Sequence, residues 1–222
     1  LRQVGIILQG GMYNTTIRAL QQLGLADPYG ASRIPLYVLN VTYPLNADEV
    51  LRFCRGKRAV LVVEEGQPAF IEDALNAILR RGDLDVTVVG KDVLPMAGEY
   101  TGEVVLGGIA GFLEVAVAEG IDLARVRAAF EAASAPKRRA RELLPEPVPT
   151  RPPGFCIGCP ERPVFAAMKI VEKEAGGLHV AADIGCHTFS TLPPFNLGNS
   201  VLGYGLGLDS AAGVAPSFGK PV

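Results

Sequence analysis

Within the first ninety residues, short apolar runs alternate with stripes of helical period, and this alternation constrains the fold more than any other feature. Val4-Gly5-Ile6-Ile7-Leu8 is an apolar run bounded by Gly10-Gly11, and a helical stripe follows through Ile17, Leu20 and Leu23. Leu36 to Val41 reads as a second strand. Asn46 is placed to cap a helix whose apolar stripe is Val50, Leu51 and Cys54, with Gly56 just past its end. Ala59 to Glu64 is a third strand, continuous enough to be buried on both faces. Phe70, Ile71, Ala74, Leu75 and Ile78 form the face of the next helix, and Asp85 to Val89 is a further strand. Repeated strand–helix units with short links imply a parallel sheet covered by helices.

Beyond Gly90 the pattern loosens, with a helix expected around Leu123 to Ala133. From Ala135 to Pro153 the chain is basic and then rich in proline: Pro145, Pro147, Pro149, Pro152 and Pro153. Such a stretch reads as an extended linker. A helix from about Pro163 to Ala175 and a strand from Leu178 to Asp183 follow. After them come a Gly-, Thr-, Ser- and Pro-rich loop and a Gly/Ala-rich segment from Gly203 to Ala215. The expected organisation is therefore an α/β domain over 1–134, including a helical extension, a linker over 135–153, and a second α/β domain over 154–222. The chain enters a strand-like run almost at its first residue. It closes on Gly219-Lys220-Pro221-Val222, which looks like a strand beginning. Both features are expected of an internal piece, with the second domain incomplete.

Composition narrows the function classes. Hydrophobic residues make up 49% and charged residues 20%, with a formal net charge of −2 and no long run of one sign. Neither nucleic acid nor a membrane is expected as a partner. Four cysteines in 222 residues do not make a disulfide framework. Three of them, Cys156, Cys159 and Cys186, fall in the last third, which favours a metal or redox site in a reducing, cytoplasmic setting.

The sharpest local feature is Cys156-Ile157-Gly158-Cys159, followed by Pro160 and a helix. Two thiolates spaced by two residues can grip one metal ion or one iron–sulfur cluster, because the turn aims both sulfurs at a common point. Cys186 arrives later, in Asp183-Ile184-Gly185-Cys186-His187. A fourth ligand would have to be His187, Cys54 or a residue elsewhere. The alternatives are a structural zinc site, a redox dithiol, or free thiols that only pack. His187 can supply a proton or hydrogen bond near a cofactor, or be a loop histidine held by a carbonyl; His179 carries less weight. Glu64-Glu65 stands at the carboxyl end of a strand, where an open parallel sheet forms its ligand crevice, and at most one of the two can face it. Gly10-Gly11-Met12-Tyr13-Asn14 is a tight turn that could also cradle an anion. Gly198-Asn199-Ser200 with Gly203, Gly205 and Gly207 suits close backbone approach to a ligand or to another helix.

These motifs in their order carry a resemblance. Arg151 to Phe165, enclosing Cys156-Ile157-Gly158-Cys159-Pro160-Glu161-Arg162-Pro163, resembles the opening of the diphosphate-binding domain of indolepyruvate ferredoxin oxidoreductases. Ala182 to Thr188, then Leu192-Pro193-Pro194-Phe195, then Gly203-Tyr204-Gly205, is similar to the same domain continuing. Gly5-Ile6-Ile7, the Tyr13-Asn14 turn, Val63-Glu64-Glu65-Gly66, Leu94-Pro95 and Gly98-Glu99 resemble the transketolase-C-like domain that precedes it. The resemblance implies a transketolase-C-like parallel-sheet domain followed by an incomplete thiamine-diphosphate-binding α/β domain. The implied activity is oxidative decarboxylation of aryl 2-oxoacids to acyl-coenzyme A, with ferredoxin as electron acceptor. It further implies Cys156, Cys159 and Cys186 as three ligands of a 4Fe-4S cluster, and Cys186, His187, Thr188 and Gly203 as neighbours of the thiamine. Expected partners are the remaining domains of the same enzyme, coenzyme A, the 2-oxoacid, ferredoxin and further copies of the chain. The Mg²⁺-diphosphate motif, which the resemblance places just after Pro221-Val222, is absent, so this chain alone is expected to be inactive.

Overall fold

A computed structural model describes residues 2–66, 68–116, 120–144, 146, 149 and 152–219. The chain divides into two compact units, 1–147 and 148–222.

The first unit is built on four parallel strands: β1 (Val4–Gln9), β2 (Leu36–Leu39), β3 (Ala59–Val63) and β4 (Thr87–Val89), in the order β2-β1-β3-β4. Between them run α1 (Tyr13–Gln22), α2 (Ala47–Cys54) and α3 (Phe70–Arg81). The order reverses between β1 and β3, because the chain moves outward through β2 and returns to the other side of β1. Successive side chains of a strand face opposite ways, and the strands accordingly feed two cores. Val4, Ile6, Leu8, Leu61 and Val63 pack with α1 and with later helices. Ile7, Val60 and Val62 pack with α2 and α3. Every residue of β3 is buried, as its continuous apolar run requires.

Local chemistry fixes the helix ends. The Asn46 side chain accepts from the Glu49 N–H at 3.2 Å, so the expected cap forms. Gly56, φ +73°, takes the left-handed turn after α2. One side chain departs from its expected place. Phe70, assigned to the buried face of α3, is 69% exposed, while Ile71, Leu75 and Leu79 make that face. Helical rotation of about 100° per residue carries Phe70 away from the stripe that Ile71 defines.

Beyond β4 two helices complete the layer over α1: α4 (Gly102–Ala116) and α5 (Leu123–Leu143). No helix is expected at α4 from periodicity, since it is apolar on nearly all faces and holds Gly107, Gly108 and Gly111. It forms because it is buried, with Val105, Ile109, Phe112 and Leu113 in the core. Gly108 is needed there, because a Cβ would lie 2.3 Å from Leu94 Cδ2. Helix α5 runs on through Pro136 into the stretch expected to be linker. Its last turns are held by ion pairs of Lys137 with Glu103, Arg138 with Glu131 (3.0 Å) and Arg139 with Glu142 (3.3 Å). Of the linker prolines, Pro145 and Pro147 lie outside the described residues.

The second unit contains α6 (Glu161–Ala175), β5 (Ala181–Ala182), β6 (Ser200–Val201) and α7 (Gly207–Val214). Its two short strands are parallel, pairing Ala181 with Ser200 and Ala182 with Val201. The strand expected over Leu178–Asp183 is reduced to these two residues. Its small core is Phe165, Phe195 and Leu197. The strand expected to begin at Pro221-Val222 lies outside the described residues.

Candidate functional site

In the second unit the carboxyl ends of β5 and β6 open into two loops that carry most of the expected site. Asp183, directly after β5, is the hub that joins them. Its Oδ1 accepts from the Ile184 N–H at 2.8 Å and from the Gly205 N–H at 2.7 Å. The Thr188 hydroxyl donates to the Asp183 carbonyl (3.2 Å) and accepts from the Gly185 N–H (3.2 Å), closing the turn around Cys186 and His187. Cys186, His187, Thr188 and the loop of Gly203 are therefore brought to one edge. Gly207 fits against the Ala181 carbonyl, where a Cβ would sit 3.4 Å away. Gly198 is seated with positive φ, where a Cβ would meet Thr191 Cγ2 at 2.5 Å. Packing against neighbouring chain thus accounts for both glycines.

The Cys156–Cys159 turn is closed by the Cys159 N–H donating to the Cys156 carbonyl at 3.2 Å, with Gly158 in the left-handed region at φ +75°. Two contacts tie this turn to the Cys186 loop. Phe155, next to Cys156, meets Phe189 edge-on at 5.9 Å and Phe165 at 5.3 Å between ring centroids. Glu161, at the start of α6, sets Oε1 3.5 Å from His187 Nε2. The other oxygen, Oε2, is buried and has no hydrogen-bond partner. A buried carboxylate oxygen without a donor is costly and marks a place where a donor belongs. Cys156 and Cys186 are exposed and Cys159 half-buried. Among the described residues, no group of three or more His, Cys, Asp or Glu side chains is arranged to hold a metal ion. The three thiols stand on adjoining loops without converging on one point.

Behind these loops lies a cavity of about 620 Å³, walled by Val164, Phe165, Met168, Val180 and Leu208, with Glu161, Asp183 and His187 among its polar lining. His179 also lines it and meets the Ser200 hydroxyl at 3.3 Å, so its role is a side-chain contact between the β5 and β6 segments. The motifs pointed to the cysteine loops. They did not reveal Asp183 as the hub or Glu161 as the partner of His187, and only a spatial contact between distant residues shows the latter.

The fourth cysteine serves elsewhere. Cys54 is fully buried in the first unit's core, and burial pushes its thiol up to about 11. It is no ligand for the second unit's loops.

In the first unit, the carboxyl ends of β1 and β3 meet a crevice of about 810 Å³ between the Thr42–Leu45 segment and α3. Glu64 is the carboxylate that faces it, and its negative charge is already engaged. Its two oxygens accept from the Ile71 N–H at 2.9 and 3.0 Å, and Oε2 also accepts from the Glu72 N–H at 3.2 Å. Glu65 turns away to receive the Tyr100 N–H at 2.6 Å. Alongside, the Lys91 ammonium donates to the Glu64 carbonyl (2.6 Å), the Gly66 carbonyl (2.8 Å) and the Tyr100 hydroxyl (2.8 Å). Burial pushes the Tyr100 hydroxyl up to about 12, with the nearby carboxylates adding to it. The Gly10–Met12 turn winds as a short 3₁₀ segment straight into α1.

The geometry thus defines a transketolase-C-like parallel α/β unit followed by a smaller α/β unit bearing a two-loop thiol site. Residues 2–106 match the profile of the indolepyruvate ferredoxin oxidoreductase middle domain. The indolepyruvate oxidoreductase subunit IorA of Methanothermobacter marburgensis is 32% identical over 225 residues, covering 99% of this chain and 32% of that protein. The IorA subunit of Methanothermobacter thermautotrophicus is 30% identical over 217 residues, 95% of this chain and 30% of that protein. That of Thermococcus kodakarensis is 29% identical over 214 residues, with 96% and 30% covered. No solved structure matches the chain significantly. Residues 2–106 thus carry the middle domain of the indolepyruvate ferredoxin oxidoreductase family, and the chain spans about a third of the length of the curated relatives it matches. Among the described residues, no helix is long and apolar enough to cross a membrane.

Proposed function

We propose that this chain forms part of an enzyme that oxidatively decarboxylates aryl 2-oxoacids to acyl-coenzyme A, passing electrons to ferredoxin. Within it, the first unit serves as a docking domain and the second as the opening of the cofactor-binding domain, with the proline-rich stretch after α5 as the connecting region. Thiamine diphosphate, held through Mg²⁺ by residues outside this chain, would supply the carbanion chemistry. The residues present here would bind and orient. Asp183 holds the Cys186–Thr188 and Gly203–Gly205 loops together beside the cofactor, and Glu161 orients the His187 ring. Cys156, Cys159 and Cys186 are the thiols for a 4Fe-4S cluster. As arranged they do not form a closed ligand set, so no electron-transfer step is drawn through them.

The observation that carries the proposal is the joining of the two cysteine loops by Glu161 and His187. It supports a common site for the loops that carry the three thiols, in a chain that aligns along its length with IorA subunits. The test is anaerobic reconstitution with iron and sulfide, with an external thiol present to complete coordination. The protein is expected to take up iron and develop a visible absorption band. Cys156→Ser, Cys159→Ser and Cys186→Ser should each abolish the band, while Cys54→Ser keeps it. Iron uptake that ignores all three substitutions, or zinc retained in preference to iron, would defeat the cluster assignment.

A further inference from the structure

The floor of the first unit's crevice holds a donor and an acceptor side by side. Leu8 pairs with Val63 in the parallel register of β1 and β3, so Gln9 and Glu64 are neighbours one residue further on. Alternation puts both on the side that Ile7 and Val62 face, which α3 covers. The strand order reverses between these two strands, and an open parallel sheet takes its ligands at such a point. Both side chains are pinned. Gln9 Oε1 accepts from the Glu65 N–H at 2.9 Å, which leaves the NH₂ as the free end. Among the described residues that NH₂ donates to nothing. The Glu64 carboxylate, 5% exposed, receives three contacts from the Ile71 and Glu72 amides. A carboxylate offers about four acceptor sites, so one remains. The walls are apolar and include two exposed aromatic rings, Tyr43 and Phe70. Arg81, which also lines the crevice, stands about 16 Å along α3 from Phe70. Among the described residues it enters no ion pair.

We propose that this crevice binds a nucleotide whose base carries a ring N–H beside a carbonyl, as uracil, hypoxanthine and guanine do. The base N–H donates to Glu64 and the carbonyl accepts from the Gln9 NH₂. The paired polar groups select this edge. A peptide also carries N–H and C=O, but its trans geometry points them to opposite sides. Only an amide closed into a ring presents both to one floor. Two aromatic side chains lining the same crevice suit a flat ring, which stacks on them. The buried carboxylate keeps phosphate away from the floor, and Arg81 receives it at the far end. Adenine presents the reverse order, a ring acceptor beside an amino donor. Turning it over to match the floor would carry its phosphate away from Arg81. A crevice of about 810 Å³ lies within the usual range for small-molecule sites.

This site does not depend on the reaction proposed above. Isothermal titration calorimetry of the chain with inosine monophosphate is expected to show saturable binding. Adenosine monophosphate and coenzyme A, both adenine compounds, should bind about tenfold or more weakly. Gln9→Glu keeps an oxygen for the Glu65 N–H while replacing the donor by an acceptor, and should weaken binding by about tenfold or more. Phe70→Ala removes an exposed ring without touching the core and should cost about tenfold. Arg81→Ala should weaken inosine monophosphate and leave inosine unchanged, a split that a general loss of structure would not give. Absence of binding at millimolar nucleotide overturns the proposal. So do adenine compounds that bind as tightly as inosine monophosphate, or an affinity that Gln9→Glu and Phe70→Ala leave unchanged.

Discussion

Two adjacent glycines of α4 should respond to the same substitution with opposite sign. At Gly107 a Cβ would meet only Phe130 Cε2, at 3.8 Å, an ordinary contact. Gly107→Ala therefore collects the helix-propensity difference between the two residues, about 0.8–1 kcal/mol, and should stabilise the first unit. At Gly108 the same methyl would lie 2.3 Å from Leu94 Cδ2 and 2.9 Å from its Cγ. Leu94 is 3% exposed, so it cannot swing into solvent and must push on the core. Overpacking of this kind costs about 1–3 kcal/mol, which offsets the propensity gain and leaves a net loss of up to about 2 kcal/mol. Urea unfolding followed by far-UV circular dichroism measures both, with the midpoints compared at unchanged slope. The expected order is Gly107→Ala above the natural chain and Gly108→Ala below it. Equal midpoints, or Gly108→Ala as the more stable variant, would refute the close approach of α4 to Leu94.

Two further outcomes test the first unit. Lys91→Met keeps the aliphatic stem and removes the ammonium that binds two carbonyls and the Tyr100 hydroxyl. With charge-assisted bonds worth about 1.5–3 kcal/mol each, discounted for a half-buried site, it should cost about 2–4 kcal/mol in the same urea assay; a loss under about 1 kcal/mol would show the network to be incidental. Cys54 should resist an aromatic disulfide reagent in the native chain and react on unfolding. Because burial raises its folded-state pKa from 9.0 to about 11, its contribution is complete below pH 9 and is lost as the pH rises towards 11. Cys54→Ala, compared with the natural chain, should flatten that part of the stability–pH profile.

The parallel sheet was legible in sequence because continuous apolar runs such as Ala59–Val63 have few other uses, and Asn46 announced its helix by capping chemistry. Helix α4 was not legible, since apolar residues on nearly all its faces erase the periodicity that reveals a helix. Of its glycines, which argue against a helix locally, Gly108 is there because Leu94 leaves no room for a methyl. Helix α5, expected only to about Ala133, runs on through Pro136 to Leu143. At the site, the cysteine loops were visible as motifs. The Asp183 hydrogen bond to Gly205 and the Glu161 contact with His187 join residues far apart in the chain, and no local pattern encodes them.

Glu64 has a consequence for what the first unit can recognise. The amino end of α3 is the natural seat for a phosphate or carboxylate group at this edge of the sheet. The protein has placed its own carboxylate there, bonded to the Ile71 and Glu72 amides. A visiting anion would be repelled from a berth already taken, so whatever approaches this edge must be recognised through its uncharged or cationic parts.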